Sequence, residues 1–180
     1  MQQLLQTTSS LVFGVALLLG GAGASAAQGL PGGASSLNET HGDWRVACAA
    51  PDGAVRCAIA QTQVSGENRQ RVLAIELTAI EGGKAASGTL VLPFGLKLDD
   101  GVSLAIDEAA PLRSLRFSTC LPAGCLVPLT FDQDAVAGMQ AGTALRVKAA
   151  ANDSAQEINF SISLSGFPSA LARVAELGGS

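Results

Sequence analysis

The 180-residue chain has no tyrosine, a single histidine, a single tryptophan and no block of like charge. A hydrolase with an activated nucleophile needs a base, most often a histidine held by an acid. His41 is the one candidate, and it lies beside Gly42 and Asp43 at the end of a Gly- and Ser-rich stretch, where a solvated loop residue is expected. Gly-x-Ser-x-Gly elbows and Gly-x-x-x-x-Gly-Lys phosphate loops are missing. So is the Cys-x-x-Cys redox motif. Eleven basic and fifteen acidic residues are interspersed, net −4, without the basic cluster that nucleic acid or an anionic membrane selects. The residues call for no cofactor and no metal.

What is present begins with a short apolar run, Leu11 to Leu19, leading through Gly20–Gly23 into Ala24-Ser25-Ala26-Ala27. That is the form of a secretory signal peptide over 1–27, cut after Ala26 or Ala27, although Met1 to Ser10 lack Lys and Arg. As a helix the run would reach only about 14 Å, half a bilayer core, so no stable membrane anchor is expected. No cysteine precedes Cys48 to carry a lipid. Residues 28–41, rich in Gly, Ser and Asn with Pro31, read as a flexible leader, and one domain follows over 42–177.

Cys48, Cys57, Cys120 and Cys125 form an even set in a chain that looks exported, where thiols pair. The expected bridges are the local ones, because Pro51-Asp52-Gly53 lies midway in the first pair and Pro122-Ala123-Gly124 in the second. The first hairpin's register stays open: a two-residue Asp52-Gly53 loop sets Cys48 opposite Cys57, whereas a bulge at Gly53 displaces them by one. Zinc is disfavoured, since structural sites pair cysteines two to four residues apart.

Period-two alternation is clearest at Ile158, Phe160, Ile162 and Leu164, and recurs in Trp44–Cys48, Leu73–Ala79, Val102–Ile106 and Leu145–Ala149. With segments near 55–64, 88–93, 113–121 and 125–131 this predicts about nine strands in an all-β sandwich or barrel. Asp132 is placed to cap a helix running to Gly138 or Gly142, and Pro168 to open a C-terminal helix burying Ala170, Leu171, Val174 and Leu177.

Among polar residues, Glu76 falls opposite the Leu73, Ile75 and Leu77 face and is expected to be solvated or paired with an arginine. Asp99 and Asp100 mark a turn rather than a calcium loop. Two aromatics are candidate binding residues. Trp44 shares a face with Val46 and Cys48, which favours a core role near the first bridge over an exposed contact. Phe94, between Pro93 and Gly95, is either an exposed contact or tucked into the core.

These residues form an ordered pattern: Gly42-Asp43-Trp44-Arg45-Val46, Cys48, Cys57, Ile59 and Gln61; then Leu92-Pro93-Phe94-Gly95, Gly101, Val102, Leu104, Ile106 and Asp107; then Phe117 and Cys120-Leu121-Pro122-Ala123-Gly124-Cys125; and finally Phe160, Ser161, Leu164, Gly166, Phe167, Ala170 and Leu171. It resembles the invasion-associated locus B family across residues 42 to 172. The resemblance implies an immunoglobulin-like β-sandwich, a periplasmic or secreted location and, in pathogenic members, a part in host-cell invasion. It brings no catalytic residues. The absence of tyrosine departs from any shared aromatic surface. The expected function is a non-catalytic module that binds a protein of the envelope or host through loops 93–101 and 120–125. The alternatives are an envelope assembly factor working through an exposed sheet edge and, third, an enzyme.

Overall fold

The computed structural model describes residues 29–66 and 71–178. The expected signal segment and its cleavage point lie outside the described residues. Eleven strands are described: β1 (Ser36–His41), β2 (Trp44–Ala49), β3 (Arg56–Val64), β4 (Arg71–Ile80), β5 (Ala85–Leu92), β6 (Val102–Ile106), β7 (Arg113–Leu115), β8 (Thr119–Leu121), β9 (Gly124–Phe131), β10 (Ala144–Ala150) and β11 (Glu157–Ser163). Two α-helices join them, α1 (Gln133–Ala141) and α2 (Phe167–Gly178). The strands form two antiparallel sheets, a large one ordered β1-β2-β3-β4-β5-β9-β8 and a small one ordered β11-β10-β6-β7. The protein is an all-β, two-sheet sandwich with a C-terminal helix.

Alternation decides which side chains enter the core. Trp44, Val46, Ile59, Leu73, Ile75, Leu77, Leu90 and Val127 of the large sheet are buried, as are Val102, Leu104, Leu145, Val147 and Ile162 of the small one. α2 packs against β2, β3 and β4 and buries Phe167, Ala170, Leu171 and Val174. Its Phe167 meets Trp44 edge-to-face, with ring centroids 5.4 Å apart. Such a pair adds about 1 kcal/mol beyond the area it buries. Asp132 caps α1 by accepting from the Ala135 amide at 2.9 Å.

Two expectations need correction. The leader 28–41 is not a leader throughout: Leu30 is buried and Ser36–His41 form β1, paired along its length with β2. β1 escapes an apolar-alternation search because two of its partly buried positions are Glu39 and His41, whose partners are polar groups of α2. The segment 113–121 is two strands in different sheets, since the chain leaves the small sheet after Leu115 and joins the large one at Thr119.

The β1–β2 turn is a two-residue loop, Gly42-Asp43, with Gly42 at φ 56°, the left-handed conformation that suits the first position of a tight hairpin. The turn presses on the β11–α2 connection. A β-carbon at Gly42 would stand 2.6 Å from the Ser165 carbonyl oxygen, and one at Gly166 2.0 Å from that of His41. Neither position admits a side chain.

Gln61 is buried on β3, and its amide pairs with β11 as a strand would: Nε2 donates to the Ser163 carbonyl at 3.0 Å and Oε1 accepts the Ser163 amide at 3.2 Å. Gln63 Nε2 donates to the Ser161 carbonyl at 2.7 Å, and Trp44 Nε1 to that of Ser163 at 2.8 Å. Side chains of the large sheet thus satisfy the outer edge of the small one. This matters because an unpaired buried peptide group costs about 1–3 kcal/mol.

Candidate binding site at one end of the sandwich

β5 ends at Leu92, and the chain crosses to the other sheet through Pro93-Phe94-Gly95. Leu96 tucks into the core and bridges Ala151. Backbone bonds from Lys97 to the Ala150 carbonyl and from Asn152 to the Gly95 carbonyl, both 2.8 Å, fix the loop. Held on both sides, the turn projects Phe94 outward, 61% exposed. Phe94 is therefore a surface aromatic and not a core residue.

Facing it is the β8–β9 hairpin, closed by the Cys120–Cys125 bridge between directly opposed residues. Gly124 has φ 131°, and a β-carbon there would stand 2.5 Å from the Leu92 carbonyl oxygen, so the hairpin lies tight against the end of β5. Arg71 donates from Nη2 to the Ala123 carbonyl. Val72, Pro93, Phe94, Pro122 and Ala123 line a cleft of about 500 Å³ between loop and hairpin, with Arg71 on its margin. Leu121, 49% exposed, adds apolar surface on the hairpin. A rigid aromatic beside small apolar walls and one cation is suited to anchoring a partner's side chain.

The other site candidates lie elsewhere. Trp44 is fully buried, and its indole N–H is used by Ser163, so it is a core residue and not a contact surface. Cys48 and Cys57 are bridged and directly opposed, with residues 50–55 as the connection. Pro51 sits in a single turn, Pro51–Gly53, beyond the ladder, so opposed cysteines require no amide from it. All four cysteines are bridged, leaving no thiolate for a metal. Glu76 is exposed on the outer face of β4. Asp100 pairs with Lys97 at 3.1 Å in the Leu98–Asp100 turn.

His41 is not a solvated loop residue. Its Nδ1 lies 3.2 Å from Ser169 Oγ and its Nε2 3.2 Å from Glu39 Oε2. The chain Ser169–His41–Glu39 has the residue types of a nucleophile relay, but its bonds are committed to structure. Glu39 takes the Arg173 guanidinium as a fork, Nη2 to Oε1 at 2.9 Å and Nε to Oε2 at 3.0 Å, while the Ser169 hydroxyl donates to the Gly166 carbonyl at 3.0 Å. Arg173 also pairs with Glu176 at 3.0 Å. The fork from Arg173, with His41 second, holds the Glu39 carboxyl below its ordinary range. The cluster clasps β1 to α2.

With this geometry in place, comparison with known proteins decides the family. A family model described as "Invasion associated locus B (IalB) protein" matches residues 44–175. The chain belongs to the invasion associated locus B family. It is 46% identical over 151 residues to an invasion protein B homologue of Brucella abortus (strain 2308), covering 84% of this chain and 86% of that protein. It is 35% identical over 150 residues to invasion protein B of Bartonella bacilliformis, covering 82% and 80%. A crystal structure of invasion associated protein B from Bartonella henselae superposes with a TM-score of 0.74 at 32% identity, covering 80% of this chain and 98% of that one.

Several residues of the invasion associated locus B pattern have a definite structural role. Gly42, Gly124 and Gly166 are close backbone approaches, Gln61 is the edge cover, and Phe94 and Pro122 line the cleft. Asp107, at φ 50°, accepts from the Thr143 hydroxyl and from the amides of Thr143 at 3.1 Å and Ala144 at 2.9 Å. Those bonds, the Thr143 hydroxyl first, hold its carboxyl below the usual range and tie β6 to the start of β10. Sequence reasoning missed Gln61 as a structural partner, and Arg71 and Val72 as cleft residues. Gln61 carried one signal, a polar residue in phase with Ile59 and Cys57 on the buried face of β3.

Proposed function

We propose that this protein is exported and acts, without catalysis of its own, as a protein-binding module of the bacterial envelope or its exterior, using the Phe94 cleft as contact surface. The single observation carrying this reading is a large aromatic, 61% exposed, on a cleft whose opposite wall is a disulfide-closed hairpin. An aromatic exposed on a rigid frame loses little conformational entropy on binding, which favours it as an anchor. Two bridges fit an oxidising compartment, and relatives carrying the name invasion protein B fit a role at the cell exterior.

The test is chemical crosslinking of the protein in intact cells, followed by mass spectrometry of what is attached, for the natural chain and for Phe94→Ala. Truncating an anchor aromatic costs about 2 kcal/mol or more of binding, so capture should fall about 30-fold while the melting temperature holds. Equal capture by the two proteins would remove the cleft from the reading, and no attached protein in either would remove the binding role.

A further inference from the structure

Among the described residues the sandwich has four edge strands, and three are managed. β11 is covered by Gln61, Gln63 and Trp44. β7 reaches β9 through Arg113, whose Nη2 donates to the Thr130 carbonyl. β8 is three residues long, and where it stops β9 carries Pro128, which has no N–H to offer. β1 has none of these devices. It runs six residues, Ser36–His41, with no Lys, Arg or Pro and an unbroken register against β2. Its exposed side chains, Ser36, Asn38 and Thr40, are short and uncharged.

The peptide groups of β1 that face away from β2 can be assigned. A two-residue loop closes on a bonded pair, His41 with Trp44, and bonded pairs recur at alternate positions. The Ala50 amide donates to the Ser35 carbonyl at 3.0 Å, in the same phase. Positions 35, 37, 39 and 41 therefore bond to β2, while the N–H and C=O groups of Ser36, Asn38 and Thr40 point outward. Among the described residues no backbone partner meets them.

We propose that β1 pairs antiparallel with β1 of a second copy of this chain, about a two-fold axis at Asn38. In that register Asn38 faces Asn38 and Ser36 faces Thr40 on either side, so every outward peptide group of the strand finds a partner. The core-lining side chains of both copies also fall on the same side of the joined sheet. Shifting the axis by one residue towards His41 sets Glu39 against Glu39, and like charges directly opposed are destabilising. Shifting it the other way leaves Thr40 opposite Ala34, beyond the start of β1. A symmetric interface must be self-complementary, and this segment is: its exposed Ser36, Asn38 and Thr40 are short and uncharged, and Glu39 falls opposite Leu37 rather than its own copy. The contact is small, so the equilibrium is weak and concentration-dependent. It does not depend on the Phe94 reading, since β1 forms one edge of the large sheet and the cleft hairpin includes the other.

Sedimentation equilibrium of the purified protein between about 1 μM and about 1 mM tests this. The expected result is a reversible monomer–dimer curve for the natural chain. Asn38→Pro deletes an outward N–H at the centre of the pairing without touching a bond to β2, and Asn38→Lys sets two ammonium groups face to face on the axis. Each should raise the dissociation constant at least about tenfold, with both disulfides and the circular dichroism spectrum unchanged. A natural chain that stays monomeric across the range overturns the proposal and leaves the edge to a strand from a different protein. Dimers of unchanged affinity in Asn38→Lys overturn it equally, by locating self-association elsewhere.

Discussion

Two hairpins in this protein are closed by disulfides between directly opposed cysteines, yet they sit in different surroundings. Cys48–Cys57 is buried, at 4% and 8% exposure, beside Leu37 of β1 on the sheet face that forms the core. Cys120–Cys125 has one buried and one exposed cysteine and closes the hairpin that forms a wall of the Phe94 cleft. The same covalent device reinforces a core in one place and shapes a surface in the other. What distinguishes them is the place of each hairpin in the large sheet, between β1 and β4 for the first and at the β8 edge for the second, not the bond.

The comparison can be broken most severely at the buried bridge. Replacing Cys48 and Cys57 together by Ala should destabilise the protein by about 3 kcal/mol, the loss of loop closure plus a small cavity, read as a lower denaturant midpoint. The Cys120–Cys125 bridge closes a shorter loop and is partly exposed, so replacing both cysteines by Ala should cost about 2 kcal/mol. Its larger consequence should be weaker partner capture, because the cleft wall is no longer held. Equal stability losses with unimpaired capture would erase the distinction between the two hairpins.

A smaller effect sharpens it. β1, which pairs with the first hairpin, is clasped to α2 by Glu39 and Arg173. Because the folded-state carboxyl of Glu39 lies below its ordinary value of 4.5, the clasp contributes stability above that pH and loses it as pH falls through the folded value. Glu39→Gln should flatten the acid limb of the stability curve by lowering stability at neutral pH while leaving it little changed in acid, as denaturant titrations at several pH values would record. An acid limb identical in the variant would show that the clasp contributes nothing to folding.

Much of this molecule was legible as pattern. Strands with a clean apolar face, such as β2, β4 and β11, announce themselves, and Asp132 and Pro168 mark the starts of both helices. β1 was not legible because its partly buried face includes Glu39 and His41, whose partners Ser169 and Arg173 lie more than a hundred residues away in sequence. The split between β7 and β8 was equally hidden, since nothing local states which sheet a short strand joins. At the candidate site, Phe94 and Pro122 stood out as residues. Their meeting across one cleft depends on Gly124 lying against Leu92, a contact between distant segments.

The sequence by itself determined the class of fold and the local pairing of the cysteines, because alternation and turn residues act over a few residues. Only the tertiary structure decided that Phe94 is surface, that Gln61 stands in for a strand, and that the outward edge of β1 is without a backbone partner among the described residues. Those outcomes depend on which distant backbone groups are brought within hydrogen-bonding distance, and no local pattern encodes that.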